Sequence, residues 1–263
     1  MGATAMTGPV GRLEGVSNFR DLGGGLTADG RRVAPSRLFR SGSLHRMTDR
    51  DRATLEACGI TTVIDLRSPA ERRLQPYVWE ATTAVLASLA DDRVVADMMQ
   101  RFEAGTITSA ELEDWWSLTR VFQAPEEQVA SLRTIFSTLI ALPADEAVLI
   151  HCRGGKDRTG MVAAFVLDSL GVRREDVMAD FLLTNDAART EPTDGEIAAF
   201  FERFPAFTPQ AVAAMQGVRA EWLDTWFAGI AERYGSARLY LADHLGIGEA
   251  EVRQLRANYL RPL

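Results

Sequence analysis

Apolar runs that end in polar, glycine-bearing segments predict buried strands at two places in the chain. Residues 147–150 read Ala-Val-Leu-Ile and lead into the polar loop 151–160, and residues 60–66 form a second run. A short apolar run bounded by turn residues is typical of a buried strand. From Thr159 the chain is apolar on all sides until Gly171, which predicts a buried helix directly after the loop.

Helix-start signals precede or follow these strands. Thr48 is suited to cap a helix from Asp49 to about Ala57, and Ser68-Pro69 opens another helix with Glu71 at the capping-box position. Further helices are predicted at about 92–103, 109–120, 125–142, 173–183, 236–245 and 248–259. Short strands are predicted within 16–25 and at 38–40, whereas 85–89 fits either a strand or the approach to a helix near 91.

The segment from about 191 to 232 has an aromatic-rich helical pattern outside the strand-bearing part. Glu191–Gly195 breaks the preceding helix, and Thr208-Pro209 is a new helix start. Aromatic side chains recur at helical spacing through the segment: Phe200, Phe201, Trp222 and Trp226. Such a stripe is more often part of a core than of a lid, and the sequence leaves both interpretations open.

The loop after residues 147–150 holds the clearest candidate chemistry. Five residues separate Cys152 from Arg158. A strand that leads through a loop into a helix directs backbone N–H groups and a helix N-terminus at one point, which makes an anion site. Such surroundings favour a thiolate nucleophile, and an arginine supplies a planar fork that fits two phosphate oxygens. Together these features predict phosphoryl transfer through a cysteinyl-phosphate.

The two cysteines call for different interpretations. A buried structural thiol is the alternative for Cys152, but the neighbouring cations Arg153, Lys156 and Arg158 favour the nucleophile. Cys58 lies near a predicted helix end and is expected to belong to the core. A protective disulfide between the two cysteines is the competing possibility.

Two aspartates compete for the role of general acid. Asp157 lies in the phosphate loop, where a carboxylate either pairs with a nearby cation or donates a proton to the leaving oxygen. Asp65 stands with Arg67 at the end of the second strand. Because the carboxyl ends of parallel strands meet at one edge of a sheet, both are expected to face the loop. Further candidates are Glu113 and Asp114, and His151 is expected to orient the loop rather than act as a base.

Composition excludes several classes of protein. The 263 residues are 46% hydrophobic and 25% charged with a formal net charge of −7, which argues against non-specific nucleic-acid binding. Two cysteines support neither a disulfide framework nor a multi-cysteine zinc site, and no metal or cofactor is expected. The chain has no apolar run of about 18 residues and no signal-peptide pattern. A cytoplasmic protein without a transmembrane segment is expected, with export by a route lacking a cleavable signal as the alternative.

Three motifs together resemble the cysteine-dependent protein tyrosine phosphatase superfamily. Residues 151–160 form an HCxxGKDRTG loop, Asn18–Gly24 read NFRDLGG, and Asp65–Ser68 read DLRS. This combination is similar to the bacterial group typified by the mycobacterial secreted protein tyrosine phosphatase B. Arg153 and Gly154 depart from the apolar residue and the alanine that many relatives carry, and Arg153 adds positive charge near the phosphate.

The resemblance implies an α/β fold with a central, mainly parallel sheet flanked by helices. Residues 1–263 would form a single phosphatase domain, with a helical lid-like insertion at about 191–232. It implies Cys152 as nucleophile and Arg158 as phosphate clamp, with catalytic roles for Asp157 and Asp65. The expected substrate-binding residues of the phosphate loop are Arg153, Gly154, Gly155, Lys156, Thr159 and Gly160.

The expected activity is that of a metal-independent phosphomonoesterase, a protein tyrosine phosphatase of broad or dual specificity. Thr159 is expected to assist turnover by hydrogen-bonding the thiolate. The alternative is a phosphoinositide phosphatase at a membrane surface, because the loop with lysine and aspartate is also similar to the loops of such enzymes. A catalytically inactive phosphate-binding module is a third possibility. Expected partners are a phosphorylated protein or phosphoinositide, with phosphate or sulfate bound in the loop and no nucleic acid.

Overall fold

A five-stranded sheet forms the centre of the protein. The computed structural model describes residues 12–80, 82–90, 92–111, 125–187 and 217–263, together with the single positions 202, 204, 205, 207 and 208. The strands are β1 (Arg20–Asp21), β2 (Arg31–Val33), β3 (Leu38–Ser41), β4 (Ile60–Asp65), β5 (Thr83–Leu86), β6 (Ala147–His151) and β7 (Leu260–Pro262).

The sheet order is β1-β3-β6-β4-β5, and β2 pairs with β7 in a separate antiparallel ribbon. Strand β1 runs antiparallel to β3, whereas β3, β6, β4 and β5 are mutually parallel. In the register of the three central strands, Ser41 lies opposite His151, which lies opposite Asp65. The carboxyl ends of β3, β6 and β4 are therefore level with one another at one edge of the sheet.

Helices cover both faces of this sheet, as the α/β pattern predicts. A 3₁₀ turn, Leu44–Arg46, precedes the first α-helix. The α-helices of the described residues are α1 (Asp49–Ala57), α2 (Pro69–Leu74), α3 (Asp92–Glu103), α4 (Pro125–Ala141), α5 (Asp157–Ser169), α6 (Arg174–Ala187), α7 (Ala220–Tyr234), α8 (Ala237–Leu245) and α9 (Glu249–Tyr259).

Two apolar clusters hold the layers together, one on each face. Successive side chains of a strand point to opposite faces. Val148 and Ile150 of β6 accordingly join the larger cluster, whereas Ala147 and Leu149 join the smaller one. Phe165 of α5 lies at the centre of the larger cluster, within 5.4 Å of the Trp226 ring by centroid distance. This packing makes α5 a rigid support for the loop that precedes it.

The predicted helices and strands are largely confirmed. Thr48 and Ser68 each form a complete capping box, and residues 83–86 form a strand rather than part of a helix. Helix α5 begins at Asp157, two residues earlier than the apolar pattern indicated. Most of the helix predicted at 109–120, with Glu113 and Asp114, lies outside the described residues.

The predicted lid-like insertion at 191–232 falls partly outside the described residues. Phe200 and Phe201 are among the residues that are not described. Its last part forms most of α7, where Trp226 is 7% exposed and belongs to the larger core cluster. Trp222 packs against the same cluster. The core interpretation therefore holds for Trp226, while movement of the segment stays a prediction.

Candidate active site

The candidate site lies where β3, β6 and β4 end side by side. Cys152 is the first residue after β6 and is only 3% exposed. It interacts electrostatically with Arg158 of α5 and with Arg40 of β3. The fold thus places the predicted nucleophile and the predicted phosphate clamp together at the carboxyl edge of the sheet.

The carbonyl groups of the loop are held by neighbours outside it. The Ser43 N–H donates to the carbonyl of Arg153 at 2.9 Å. The Gly155 carbonyl accepts from Asn18 Nδ2 at 2.7 Å and from Arg40 Nη2 at 2.8 Å. A trans peptide directs its N–H opposite to its carbonyl, so these bonds turn the N–H groups of Gly154 and Lys156 away from the residues that bind the carbonyls. Within the described part of the chain, the N–H groups of residues 153–155 donate to no partner.

Gly155 is required by both conformation and space. Its φ is +65°, in the left-handed region that side chains disfavour. A Cβ built there would lie 2.4 Å from the carbonyl carbon and oxygen of Ser41. Gly154, in contrast, is exposed and has room for a Cβ, with the nearest atom, Lys156 Cβ, at 3.7 Å. Gly160 lies within α5, where a Cβ would come within 2.9 Å of the Phe181 ring.

A buried charge network lies beneath the loop. Arg40 is fully buried and its Nη1 pairs with Asp180 Oδ2 at 2.6 Å. Arg20 Nε pairs with the other oxygen of Asp180 at 2.7 Å, and an Nη1 hydrogen bond links Arg20 to the Asn18 side chain. Asp180 fixes Arg40 directly and fixes Asn18 through Arg20. Arg40 and Asn18 are the two side chains that donate to the Gly155 carbonyl. The network connects β1 and β3 to α6.

Arg158 is held by Glu71 of α2. Its Nη1 lies 2.6 Å from Glu71 Oε2 and its Nη2 lies 2.7 Å from Oε1, a two-point contact. Burial alone would lower the pKa of Arg158, but the bonds to Glu71 raise it, so the guanidinium is always charged. Burial also opposes ionisation of Glu71, yet Arg158 lowers the pKa of Glu71 below its ordinary value.

Asp65 is bound on both oxygens by Arg67. The Arg67 Nη2 lies 2.8 Å from Oδ2, and the backbone N–H of Arg67 donates to Oδ1 at 2.9 Å. Although burial favours the neutral acid, the hydrogen bonds and the positive charge of Arg67 lower the pKa of Asp65. The sheet edge therefore brings Asp65 to the site, as predicted, but as an ionised, paired carboxylate.

His151 is a positioned neutral imidazole. Its Nδ1 lies 3.0 Å from the Cys152 carbonyl and its Nε2 lies 2.8 Å from the Tyr77 hydroxyl. A carbonyl only accepts, so Nδ1 carries the proton and Tyr77 donates to Nε2. Burial lowers the pKa of His151, which keeps this arrangement neutral. These bonds agree with an orienting role for the histidine.

Asp157 occupies the first position of α5 and is 8% exposed. Lys156 Nζ lies 3.2 Å from Asp157 Oδ1 in an ion pair, and Oδ1 has no hydrogen-bond partner of good geometry among the described residues. Burial outweighs the opposing effect of Lys156 and raises the pKa of Asp157. Lys156 Nζ also donates to the Gly217 carbonyl at 2.9 Å. The buried Thr159 hydroxyl likewise lacks a hydrogen-bond partner in the described part of the chain.

Comparison with known proteins decides the family. Residues 11–261 match the sequence model of the tyrosine phosphatase family. The chain belongs to this family and is a protein tyrosine phosphatase. It is 34% identical to the triple specificity protein phosphatase PtpB of Mycobacterium tuberculosis over 94% of the chain and 98% of that protein. It is 31% identical to a Cupriavidus necator protein that carries a tyrosine-protein phosphatase name, over 93% and 86% of the two chains.

The crystal structure of P. aeruginosa TpbA aligns with 78% of the chain and 95% of its own length, at 14% identity and a TM-score of 0.29. A similarity this weak adds nothing to the family assignment. None of the helices in the described part of the phosphatase combines the length and apolar character that a membrane crossing requires. No group of three or more His, Cys, Asp or Glu side chains among those residues is arranged to hold a metal ion.

The two cysteines of the phosphatase are free thiols at opposite edges of the sheet. Cys58 precedes the amino end of β4, whereas Cys152 follows the carboxyl end of the adjacent parallel strand β6. A strand of this length separates them by about 20 Å. A disulfide needs Cα atoms within about 7 Å, so the considered disulfide is wrong for this fold.

Several supporting residues of the site escaped sequence reasoning. In the sequence, Glu71 was interpreted only as a capping-box residue, because its position three residues after Ser68 is fully explained by that role. Arg40 and Asp180 are 140 residues apart, and nothing in either segment signals the other. Asn18 belonged to a motif known by resemblance, but its hydrogen bond to the Gly155 carbonyl is visible only in three dimensions. Tyr77 lies in a stretch with no clear pattern.

Proposed function

We propose that the phosphatase acts through a cysteinyl-phosphate without a metal ion. The supporting observation is that Cys152 begins a loop whose carbonyls are bound on the outside, leaving N–H groups to surround a phosphate. The Cys152 thiolate attacks phosphorus, and the P–S bond forms as the bond from phosphorus to the leaving oxygen breaks. Water then attacks the thiophosphate, the P–S bond breaks, and inorganic phosphate and the thiolate are released.

Asp157 is proposed as the group that protonates the leaving oxygen. A general acid must hold its proton at the working pH, and burial raises the pKa of Asp157 in that direction. In the second step the same carboxylate accepts a proton from the attacking water. Asp65 is less suited because Arg67 lowers its pKa and occupies both of its oxygens.

Arg158 and the loop N–H groups are proposed to bind the non-bridging phosphate oxygens. The helix N-terminus at Asp157 adds a favourable field for an anion. Thr159 has an unpartnered hydroxyl two residues beyond that terminus, which fits its proposed role as a hydrogen-bond donor to the thiolate at turnover. Lys156 is buried between Asp157 and the Gly217 carbonyl, and it supplies a further positive charge beside the loop.

Broad specificity is proposed, covering phosphotyrosine and phosphoserine or phosphothreonine in proteins. Triple specificity is named for the Mycobacterium tuberculosis relative. The exposed Arg153 and Gly154 leave the loop rim open on one side, and Arg153 offers a charge to a second anionic group. A phosphoinositide phosphatase is the alternative that the same exposed cation favours. Initial rates on a phosphotyrosine peptide, a phosphoserine peptide and a phosphoinositide in vesicles distinguish these substrates.

The Cys152→Ser variant tests the mechanism. It should lose hydrolysis of an aryl phosphate by at least about 10³-fold while still binding phosphate esters, because the nucleophile is removed and the cradle stays. Cys58→Ser is the matched control, since this thiol lies at the far edge of the sheet, and it should retain full activity. Activity of the wild-type enzyme should survive EDTA. A Cys152→Ser enzyme that hydrolyses at the wild-type rate would refute the mechanism.

A further inference from the structure

Glu71 makes more contacts than its helix cap requires. Its carboxylate accepts the Ser68 N–H at 2.9 Å on Oε2, which completes the capping box of α2. The same oxygen and its partner Oε1 also accept two bonds from Arg158, at 2.6 and 2.7 Å. Capping accounts for one oxygen only, so the contact with Arg158 needs a separate explanation.

We propose that Glu71 is a positioning residue that orients the Arg158 guanidinium for phosphate. This inference rests on the proposed function, in which Arg158 binds the phosphate in the ground and transition states. Glu71 touches neither the nucleophile nor the reacting atoms in this scheme. It acts through Arg158 alone.

The geometry of the guanidinium supports this role. Arginine has five N–H donors in one plane: one on Nε and two on each terminal nitrogen. Glu71 takes one donor from Nη1 and one from Nη2, and the second Nη1 donor faces the Leu66 carbonyl at 3.4 Å. The Nε–H and the second Nη2–H are then parallel along the other edge of the fork. Neither is bonded within the described residues, and this pair matches two oxygens of a phosphate.

Glu71 is itself held rigidly. It is 4% exposed and lies in the first turn of α2, which starts immediately after the Asp65–Arg67 pair at the sheet edge. A buried carboxylate beside a phosphate site costs repulsion against the dianion. The two-point contact with Arg158 offsets this repulsion by fixing where the guanidinium points, which removes orientational freedom before the substrate binds.

The test compares Glu71→Gln with Ser68→Ala. The glutamine keeps the shape and an oxygen for the Ser68 N–H but replaces the second acceptor by a donor. We expect kcat/KM for an aryl phosphate to fall about 10- to 100-fold. Inhibition by vanadate, which becomes five-coordinate like the transition state, should weaken by a larger factor than inhibition by inorganic phosphate. Ser68→Ala removes the other half of the capping box without touching Arg158, and its kcat/KM should stay within threefold of wild type.

Defined results would overturn the proposal. A folded Glu71→Gln enzyme with kcat/KM within threefold of wild type excludes the positioning role. A loss in Ser68→Ala equal to that in Glu71→Gln would assign the effect to α2 instead. If Glu71→Gln does not fold, Glu71→Asp is measured in its place. Its shorter side chain should weaken vanadate inhibition, and unchanged inhibition overturns the proposal.

The inference and the proposed function fail in different ways. In an enzyme whose Cys152→Ser variant is inactive, an unaffected Glu71→Gln variant overturns only the positioning role. An active Cys152→Ser variant overturns the cysteinyl-phosphate mechanism and, with it, the role of Glu71 in that mechanism.

Discussion

Replacing Asp157 by Asn separates a catalytic aspartate from a structural one. The substitution keeps the size and planarity of the side chain but removes its transferable proton. If Asp157 protonates the leaving oxygen, the decrease in kcat caused by the substitution must depend on how basic that oxygen is. A phenol has a pKa near 10, and an alkyl alkoxide is more basic and leaves poorly without a proton. General acid catalysis contributes about 10²- to 10⁴-fold, so we expect a loss of this size on an alkyl phosphate. On an aryl phosphate with an acidic phenol, the loss should stay below about tenfold.

The pH profile gives a second readout of Asp157. Burial raises the pKa of this carboxyl, so it keeps its proton at a higher pH than an ordinary aspartate. With an alkyl phosphate, kcat of the wild-type enzyme should fall as the pH rises through that value, because the acid form disappears. The Asn variant should lack this decline, since amides do not titrate in the range.

Stability should change in the opposite direction to activity. In the unfolded chain Asp157 ionises at its ordinary pKa near 3.9, whereas in the fold it holds its proton more tightly. The wild-type protein therefore loses stability as the pH rises between those two values and stays at the lower level above them. The asparagine stays neutral in both states, so we expect Asp157→Asn to raise the free energy of unfolding at pH 8 and to leave it unchanged below about pH 4.

The assays are steady-state kinetics on paired alkyl and aryl phosphates across pH, and urea unfolding at pH 4 and pH 8. Equal losses on both substrates, with the basic decline still present, would refute the assignment. Asp157 would then serve only as the partner of Lys156, and Asp65→Asn would be the next variant to measure.

Two further predictions concern the support of the phosphate loop. Gly155→Ala should lower the activity and should lower the free energy of unfolding by about 2 kcal/mol or more, because it places a side chain at positive φ against the backbone of β3. The exposed control Gly154→Ala should fold normally. Thermal unfolding of both variants checks this, and equal melting temperatures would contradict it. Asp180→Asn should lower the free energy of unfolding by about 3–5 kcal/mol, because Arg20 and Arg40 lose their shared buried counter-charge. Urea unfolding measures this change, and a change under 1 kcal/mol would show that the two ion pairs contribute little.

Local patterns in the sequence were enough to predict most helices and strands and to single out the candidate reacting residues. The caps at Thr48 and Ser68 are determined by residues three positions apart, so they can be read without a structure. The loop from Cys152 to Arg158 is equally local, because strand, loop and helix follow one another directly. The parallel-sheet rule also placed Asp65 at the same edge, and the observed register confirms this.

Charge pairing across the fold could not be predicted in the same way. Asp65 and Asp157 look alike as candidate acids in the sequence, yet their pKa values shift in opposite directions. The difference arises because Arg67 binds both oxygens of one carboxylate, whereas one oxygen of the other is buried without a hydrogen bond among the described residues.

The sequence by itself determined the candidate nucleophile, the candidate arginine clamp and the strand–loop–helix unit that joins them, because these depend on contacts between residues that are neighbours along the chain. The tertiary structure decided what holds that unit in a working geometry. Glu71 reaches Arg158 from α2, and Asn18, Arg40 and Asp180 reach the loop from three other elements. Such partners are selected by burial and distance in space, and electrostatic effects of burial appear only once the fold has excluded water.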